Sequence, residues 1–479
     1  MGKKLGLGSA VSTVVGLIVA TSCLVSLGSG FGMAGTAFIL PLSIAFILNI
    51  FVAFSFSELN SIMPNVTGGL SQYTLAAFGN GVSIISTLAA YVVCTMLAAS
   101  VEAGMFGLVL STLFGGSATL YSLLLMALLL TINILGVKSY AFLQNLTVIL
   151  LIGSMATMAV LSFFTLTSMP TIAHVETPSV TGLGNVVGLA AIGFWLFIGV
   201  EFILPISGDL KNPKRDVPLS MILGLVVLFI LQVFLGVGMT KYVSLSALAG
   251  DMPHMVFAES LVGPWGKYWM GGVTILAGVS SLNTIVSSCS YILCGMGQTG
   301  MVPKVFAKTN KKNSPFVALL TLSVILIGIL LTGISTTKDI QVLILSASCF
   351  WLLSYIVSHL DVLVLRRKYP NRERSFKLKL FGIPQIVGSL GSIYMVWNIY
   401  PEDGTGTRQK IFTIFGIFLA VLVVYAIAWV KLVMKKPFFA AEDIDSIIEK
   451  DRALNENHLT EDELADREVA IPGAAAVLE

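Results

Sequence analysis

Residues 192–218 read IGFWLFIGVEFILPISGDLKNPKRDVP, and the reading of this stretch decides the fold. It starts as an apolar, aromatic-rich helix. Gly199 interrupts it, the lone carboxylate Glu201 follows two residues later, and Pro205 sits four residues beyond that. It leaves through Lys211, Lys214 and Arg215. Lipid tolerates backbone only when its polar groups are satisfied. A helix weakened by Gly and Pro around an ionisable residue is therefore a poor anchor, but its opened backbone can build a site. The plainer alternative is an ordinary kinked span whose Glu is satisfied by a neighbouring helix.

Composition fixes the class around that stretch. The chain has 479 residues, 56% hydrophobic and 11% charged, whereas a soluble protein carries about 25% charged residues. Apolar runs of the length that crosses a bilayer, about 20 residues, recur along most of it. The chain therefore reads as an all-α polytopic membrane protein with twelve transmembrane helices. They fall near 11–37, 39–62, 81–113, 118–136, 142–168, 182–208, 216–240, 267–299, 315–334, 339–365, 381–400 and 411–434. The loops alternate in charge. One face collects 20 Lys and Arg residues and the other 5, leaving out the tail. The basic face lies inside, so both termini are expected in the cytoplasm. No cleavable leader is expected, because the first apolar run leads straight into further spans. Little polar sequence is left for a soluble catalytic domain, and the basic residues sit in loops, so nucleic acid is not an expected partner. The partners are the lipid bilayer and a small molecule.

The end of the chain differs. Residues 437–479 hold 12 acidic and 3 basic residues and read as a solvated, partly disordered tail, with a cytoplasmic plug or regulatory contact as the alternative. Asn65-Val66-Thr67 matches a glycosylation sequon but falls on the cytoplasmic side and is discounted.

A second break is expected in the first span, where Gly28, Ser29, Gly30, Gly32 and Gly35 crowd into GSGFGMAG. Each Gly costs a helix about 1 kcal/mol relative to Ala. One can serve close helix packing, but four together, with a serine between two of them, suggest an unwound segment whose N–H groups receive a carboxylate. Paired Gly-interrupted spans five apart point to a transporter site and to inverted repeats. The repeats are then 11–180 and 181–366, preceded by residues 1–10 and followed by two extra helices in 367–436 and the tail, 437–479.

Two carboxylates lie well inside spans, Glu102 in the third and Glu201 in the sixth. Glu102 faces a watery cavity or pairs with a polar group of another span; sequence alone leaves both open. Two Glu residues hint at an amine-bearing substrate or a proton site. Trp195, six residues before Glu201, either caps a pocket or joins Phe194 and Phe197 in a packing stripe. The eighth span carries Ser280, Ser281, Asn283, Thr284, Ser287 and Ser288, which bond back to their own helix, line a path or, less favoured, ligate sodium. The five cysteines, all in apolar runs, read as small core residues. No nucleophile, metal or cofactor motif appears, so neither enzyme chemistry nor a cofactor is expected.

Four segments carry a family resemblance. They are GSGFGMAG at 28–35, SFSELNSIMPNVTGGLSQYTLAAFG at 55–79, FWLFIGVEFILPISGDLKNPKRDVP at 194–218 and SSLNTIVSSCSYILCGMGQTGMVP at 280–303. Together they resemble the amino acid–polyamine–organocation permeases over roughly residues 5–435. The resemblance implies a five-plus-five inverted-repeat fold with alternating access. It implies that the backbone of Gly28, Ser29 and Gly30 holds a substrate carboxylate and that carbonyls around Ile198 and Gly199 hold its amino group. It also implies a gate at Trp195 and a proton-sensitive group at Glu201; Glu102, as the other carboxylate inside a span, is the next candidate. Two departures stand out. Tyr291 and Gln298-Thr299 replace the family's basic residue and Arg-Asp pair, and the fifth span lacks the lysine of some proton-coupled relatives.

The expected function is secondary active transport of an amino acid or related amine across the plasma (inner) membrane, by exchange or linked to protons. The rivals are a channel or non-transporting nutrient receptor on the same fold and, from another class, an intramembrane enzyme.

Overall fold

A computed structural model describes residues 6–64, 70–135, 140–172, 176–310, 314–336, 340–401 and 406–456. The sequon at 65–67 and the last part of the acidic tail lie outside these residues. The chain opens with α1 (Leu7–Ile18), α2 (Thr21–Ala34) and α3 (Ile39–Ile62). A short helix, α4 (Leu70–Phe78), leads into α5 (Asn80–Leu88), a π-helical turn at Ala89–Cys94 and α6 (Thr95–Phe114). Next come α7 (Ala118–Leu135), α8 (Tyr140–Phe163), α9 (Leu183–Val187) and α10 (Ala190–Trp195). The second half holds α11 (Pro213–Tyr242), α12 (Leu245–Leu248), α13 (Pro253–Val262), α14 (Trp265–Gln298) and α15 (Phe316–Leu331). It continues through α16 (Ile340–Lys368), α17 (Ile383–Trp397), α18 (Thr407–Ala428) and α19 (Ile444–Glu456).

Among the described residues, seven helical stretches are long and apolar enough to cross a membrane. They are Thr21–Ile62, Asn80–Phe114, Leu183–Leu204, Pro213–Tyr242, Trp265–Gln298, Ile340–Lys368 and Thr407–Met434. Three shorter apolar helices accompany them, Ala118–Ile134, Val148–Phe163 and Phe316–Leu331. Leu120, Leu124 and Leu128 recur at helical spacing on α7 and are all more than half exposed, a stripe that only lipid solvates well. This is a polytopic, multi-pass membrane protein.

The core lies where the interrupted helices meet. α10 packs against α2, α3 and α16, while α6 packs against α2 and α16. α17 covers α16 and α3, and α18 covers α16 and α5.

Buried charge at one end of the bundle is spent on structure. Arg366 grips Glu58 with two bonds, 2.8 Å and 2.6 Å, and Arg374 approaches the same carboxylate at 3.4 Å. This fastens α3 to the end of α16. Asp361 accepts from the Thr74 hydroxyl at 2.7 Å, and His359 meets Ser55 at 2.8 Å.

Over residues 437–456 the alternative reading of the tail, a contact, replaces the solvated one. Residues 437–456 dock on the bundle instead of lying free in solvent. The Gly81 N–H donates to the Phe438 carbonyl at 3.0 Å, and the Glu442 N–H donates to the Leu75 carbonyl at 3.3 Å. Ile444 and Ile447 of α19 are buried, and α19 packs on α4. Tyr369 donates to Asp443 at 2.9 Å, Arg372 pairs with Asp445 at 2.9 Å, and Lys436 and Lys450 flank Glu442. The alternation of Ile with charge over 444–456 gives one apolar face, which is what docks.

Candidate functional site

Two helix breaks face each other at the core. The first is at Val19 and Ala20, whose backbone is extended, with φ −77°, ψ 116° and φ −127°, ψ 167°. α2 begins immediately after it, so its first N–H groups have no partner within the helix. The Ser22 N–H donates to Glu102 Oε1 of α6 at 2.9 Å. Glu102 thus caps α2 from another helix, at the end where a negative charge is best placed.

The second break follows Trp195. The chain turns through Leu196–Gly199, and Gly199 adopts φ 104°, a conformation that residues with a Cβ rarely hold. A 3-10 segment, Val200–Asp209, follows. The freed backbone groups find side-chain partners. Gln232 of α11 donates to the Leu196 carbonyl at 3.0 Å, and the Gly199 N–H reaches the Tyr355 hydroxyl at 3.4 Å. That hydroxyl donates in turn to Glu201 Oε2 at 2.7 Å, and the Trp351 indole donates to Oε1 at 3.1 Å. Glu201 is buried and held by two residues one turn apart on α16.

Trp195 joins the two breaks. Its indole N–H donates to the Ser22 hydroxyl at 3.1 Å, and the Cys23 thiol lies 3.9 Å from its carbonyl. It is buried against α2 and does not face lipid. Ile198 is half-buried and Gly199 buried beside it. Tyr91 in the π-turn, Phe202 and Trp351 form a triangle of rings with centroids 5.8–6.0 Å apart next to Glu201. Such turns recur at functional sites.

The glycine-rich segment is a correction. Gly28, Ser29 and Gly30 sit inside the continuous helix α2, so the unwinding expected there occurs instead at Val19–Ala20. The glycines permit close approach: a Cβ on Gly28 would strike Pro253 of α13, and one on Gly30 would strike the Phe38 ring. Ser29 accepts from Gln341 of α16 at 2.6 Å. Two hydroxyls of the eighth span bond back to their own helix. Ser281 donates to the Ala277 carbonyl at 2.6 Å and Thr284 to the Ser280 carbonyl at 2.9 Å. Asn283 pairs with Asn133 of α7 at 2.5 Å. Tyr291 lies outside the site, more than half exposed.

Sequence reasoning missed Ser22, Cys23, Tyr91, Trp351 and Tyr355. The run Thr21-Ser22-Cys23 after an apolar segment carried a helix-start signal. Trp351 and Tyr355 carried the four-residue spacing of a shared helix face. Neither signal names its partner, which comes from another span. Among the described residues no cluster of His, Cys, Asp and Glu could hold a metal, and neither Glu102 nor Glu201 has an ion-pair partner.

The sequence model described as amino acid permease matches residues 5–436. The chain belongs to this family. The permease is 27% identical over 417 residues to the branched-chain amino acid permease BcaP of Bacillus subtilis, covering 80% of this chain and 85% of that one. It is 25% identical over 415 residues to an arginine/agmatine antiporter of Chlamydia trachomatis, covering 82% and 83%. A match to the putrescine transporter PotE of Escherichia coli is 28% identical over 221 residues, covering 43% of this permease and 48% of the relative. The family and these relatives are permeases and transporters, so the chain is a membrane transporter and not an enzyme.

Proposed function

We propose that this permease is a secondary active transporter of an amino acid or related amine, working by alternating access as an exchanger or proton-linked importer. Twelve spans arranged as five-plus-five inverted repeats with two extra helices fit the helix order. The breaks at Val19–Ala20 and Leu196–Gly199 then hold equivalent places in the first span of each repeat. The basic loops place both termini in the cytoplasm of a plasma-membrane protein. The observation that carries the reading is the pair of facing breaks tied by the Trp195–Ser22 bond, each beside a buried carboxylate. Irregular backbone at membrane depth persists where it lines a site, and paired interrupted helices are the usual place for substrate in transporters.

The test is counterflow in proteoliposomes with amino acids and amines. Exchange or accumulation supports the reading. Binding without flux indicates a receptor, and flux that does not saturate indicates a channel. A Glu201→Gln variant adds the proton question. It keeps one acceptor oxygen for the Trp351–Tyr355 pair, puts an NH2 donor in place of the other, and cannot ionise, so initial exchange rates between about pH 5 and 8 should lose their pH slope. An unchanged slope would remove Glu201 as the proton-sensitive group and turn attention to Glu102.

A further inference from the structure

The amino-terminal end of a broken helix at mid-membrane is where a transporter ordinarily receives an anionic substrate group, because its N–H groups are free and the helix dipole favours negative charge. In this permease that place is already taken. Glu102 reaches from α6 to the first turn of α2 and accepts the Ser22 N–H at 2.9 Å. Glu102 is 1% exposed, and although the Thr21 and Ser22 hydroxyls lie beside its carboxyl group, the second oxygen, Oε2, is buried and makes no hydrogen bond. A half-satisfied buried carboxylate calls for a further donor.

The second break repeats the sign. Glu201 is buried with two neutral donors, Trp351 and Tyr355, and no cation among the described residues offsets either Glu. A substrate carboxylate approaching α2 would meet an N–H already occupied and a second carboxyl group at close range. An ammonium group would meet the free Oε2 of Glu102. At the other break it would meet Glu201 with the rings of Tyr91, Phe202 and Trp351 around it, π-systems that favour a cation close by.

We infer that Glu102 sets substrate class by occupying the carboxylate position itself, so that the permease takes organic amines lacking an α-carboxylate in preference to the parent amino acids. This rests on the transport reading for its setting, but it concerns binding and is tested by binding. Buried ionised groups are tolerated when paired, and here the arriving ammonium completes the pair.

The experiment is calorimetric titration of the purified permease with four matched pairs: isoamylamine and leucine, putrescine and ornithine, agmatine and arginine, tyramine and tyrosine. At least one amine should bind ten-fold or more tightly than its parent amino acid. Glu102→Ala, which frees the Ser22 N–H and removes the competing carboxyl group, should narrow or reverse that ratio by gaining affinity for the amino acid. Glu102→Gln keeps the size and one acceptor and should lose ten-fold or more in amine affinity while remaining monodisperse. If Glu102→Ala does not fold, the wild-type pairs and Glu102→Gln decide. Wild-type protein that binds the amino acids as tightly as the amines overturns the inference and leaves transport standing. Amine binding without flux in liposomes keeps the inference and overturns the transport reading. Binding from neither panel overturns both.

Discussion

The bond from the Trp195 indole to the Ser22 hydroxyl, 3.1 Å long, connects the two helix breaks, and both residues are buried. Trp195→Phe keeps most of the packing volume and removes the donor. A neutral hydrogen bond contributes about 0.5–1.5 kcal/mol net, and leaving a buried hydroxyl unpaired raises the loss to about 1–3 kcal/mol. We expect Trp195→Phe to cost about 2 kcal/mol. Ser22→Ala leaves the indole N–H unpaired and should cost about as much. It spares the backbone N–H that Glu102 accepts, so the cap on α2 stays in place. In the double variant both polar groups are gone, and the summed loss should fall short of additivity by about 1 kcal/mol. The assay is denaturant titration in mixed micelles, followed by circular dichroism because a tryptophan is removed. Single losses that add within about 0.3–0.5 kcal/mol would refute the reasoning, since residues that do not touch behave that way.

Gly30→Val should cost about 1–3 kcal/mol by overpacking against Phe38, and Phe38→Ala should recover folded yield. A normal yield with abolished transport would instead favour ligand contact at Gly30. His254, on α13 beside the Pro253–Gly28 contact, is buried with both ring nitrogens unpartnered, and burial lowers its pKa to about 4. The fold holds the neutral ring, while the unfolded chain binds a proton below about 6.5. Its contribution is therefore complete above pH 6.5 and declines by about 3 kcal/mol as pH falls to 4. Melting curves across that window should show the decline, and His254→Phe should flatten it; an equally steep curve for the variant refutes the assignment. Deleting the chain after Lys436 removes Phe438, Ile444 and Ile447 from their seats. Each Ile is worth about 1.5–3 kcal/mol of burial, and α4 should then become protease-sensitive. Unchanged cleavage of α4 would mean that the tail does not shield it.

Much of the fold is legible in the sequence because lipid enforces a simple rule. Long apolar runs must be helical, and Gly199 beside Glu201 points to an interruption in one of them. The position of the break in the first span was not legible. GSGFGMAG has the composition of an unwound segment, yet its glycines are used for contact with Pro253 and Phe38, and these partners come from distant parts of the chain. The true break at Val19–Ala20 has no Gly or Pro, and its stability depends on Glu102 supplying a cap from α6. Glu102 and Glu201 could be named from sequence because charge inside a span is rare and costly. Their roles could not, since a carboxylate is defined by what donates to it, and Ser22, Trp351 and Tyr355 reach them only after the helices pack. The tail shows the same division. Its charge reads as solvation, but two buried isoleucines and the backbone bonds to Gly81 and Leu75 exist only on the surface that α4 and α5 present. Sequence determined which segments enter the membrane, through hydrophobicity summed locally. Tertiary structure decided which polar groups meet, because each hydrogen bond needs two partners within about 3 Å and the chain holds them far apart until it folds.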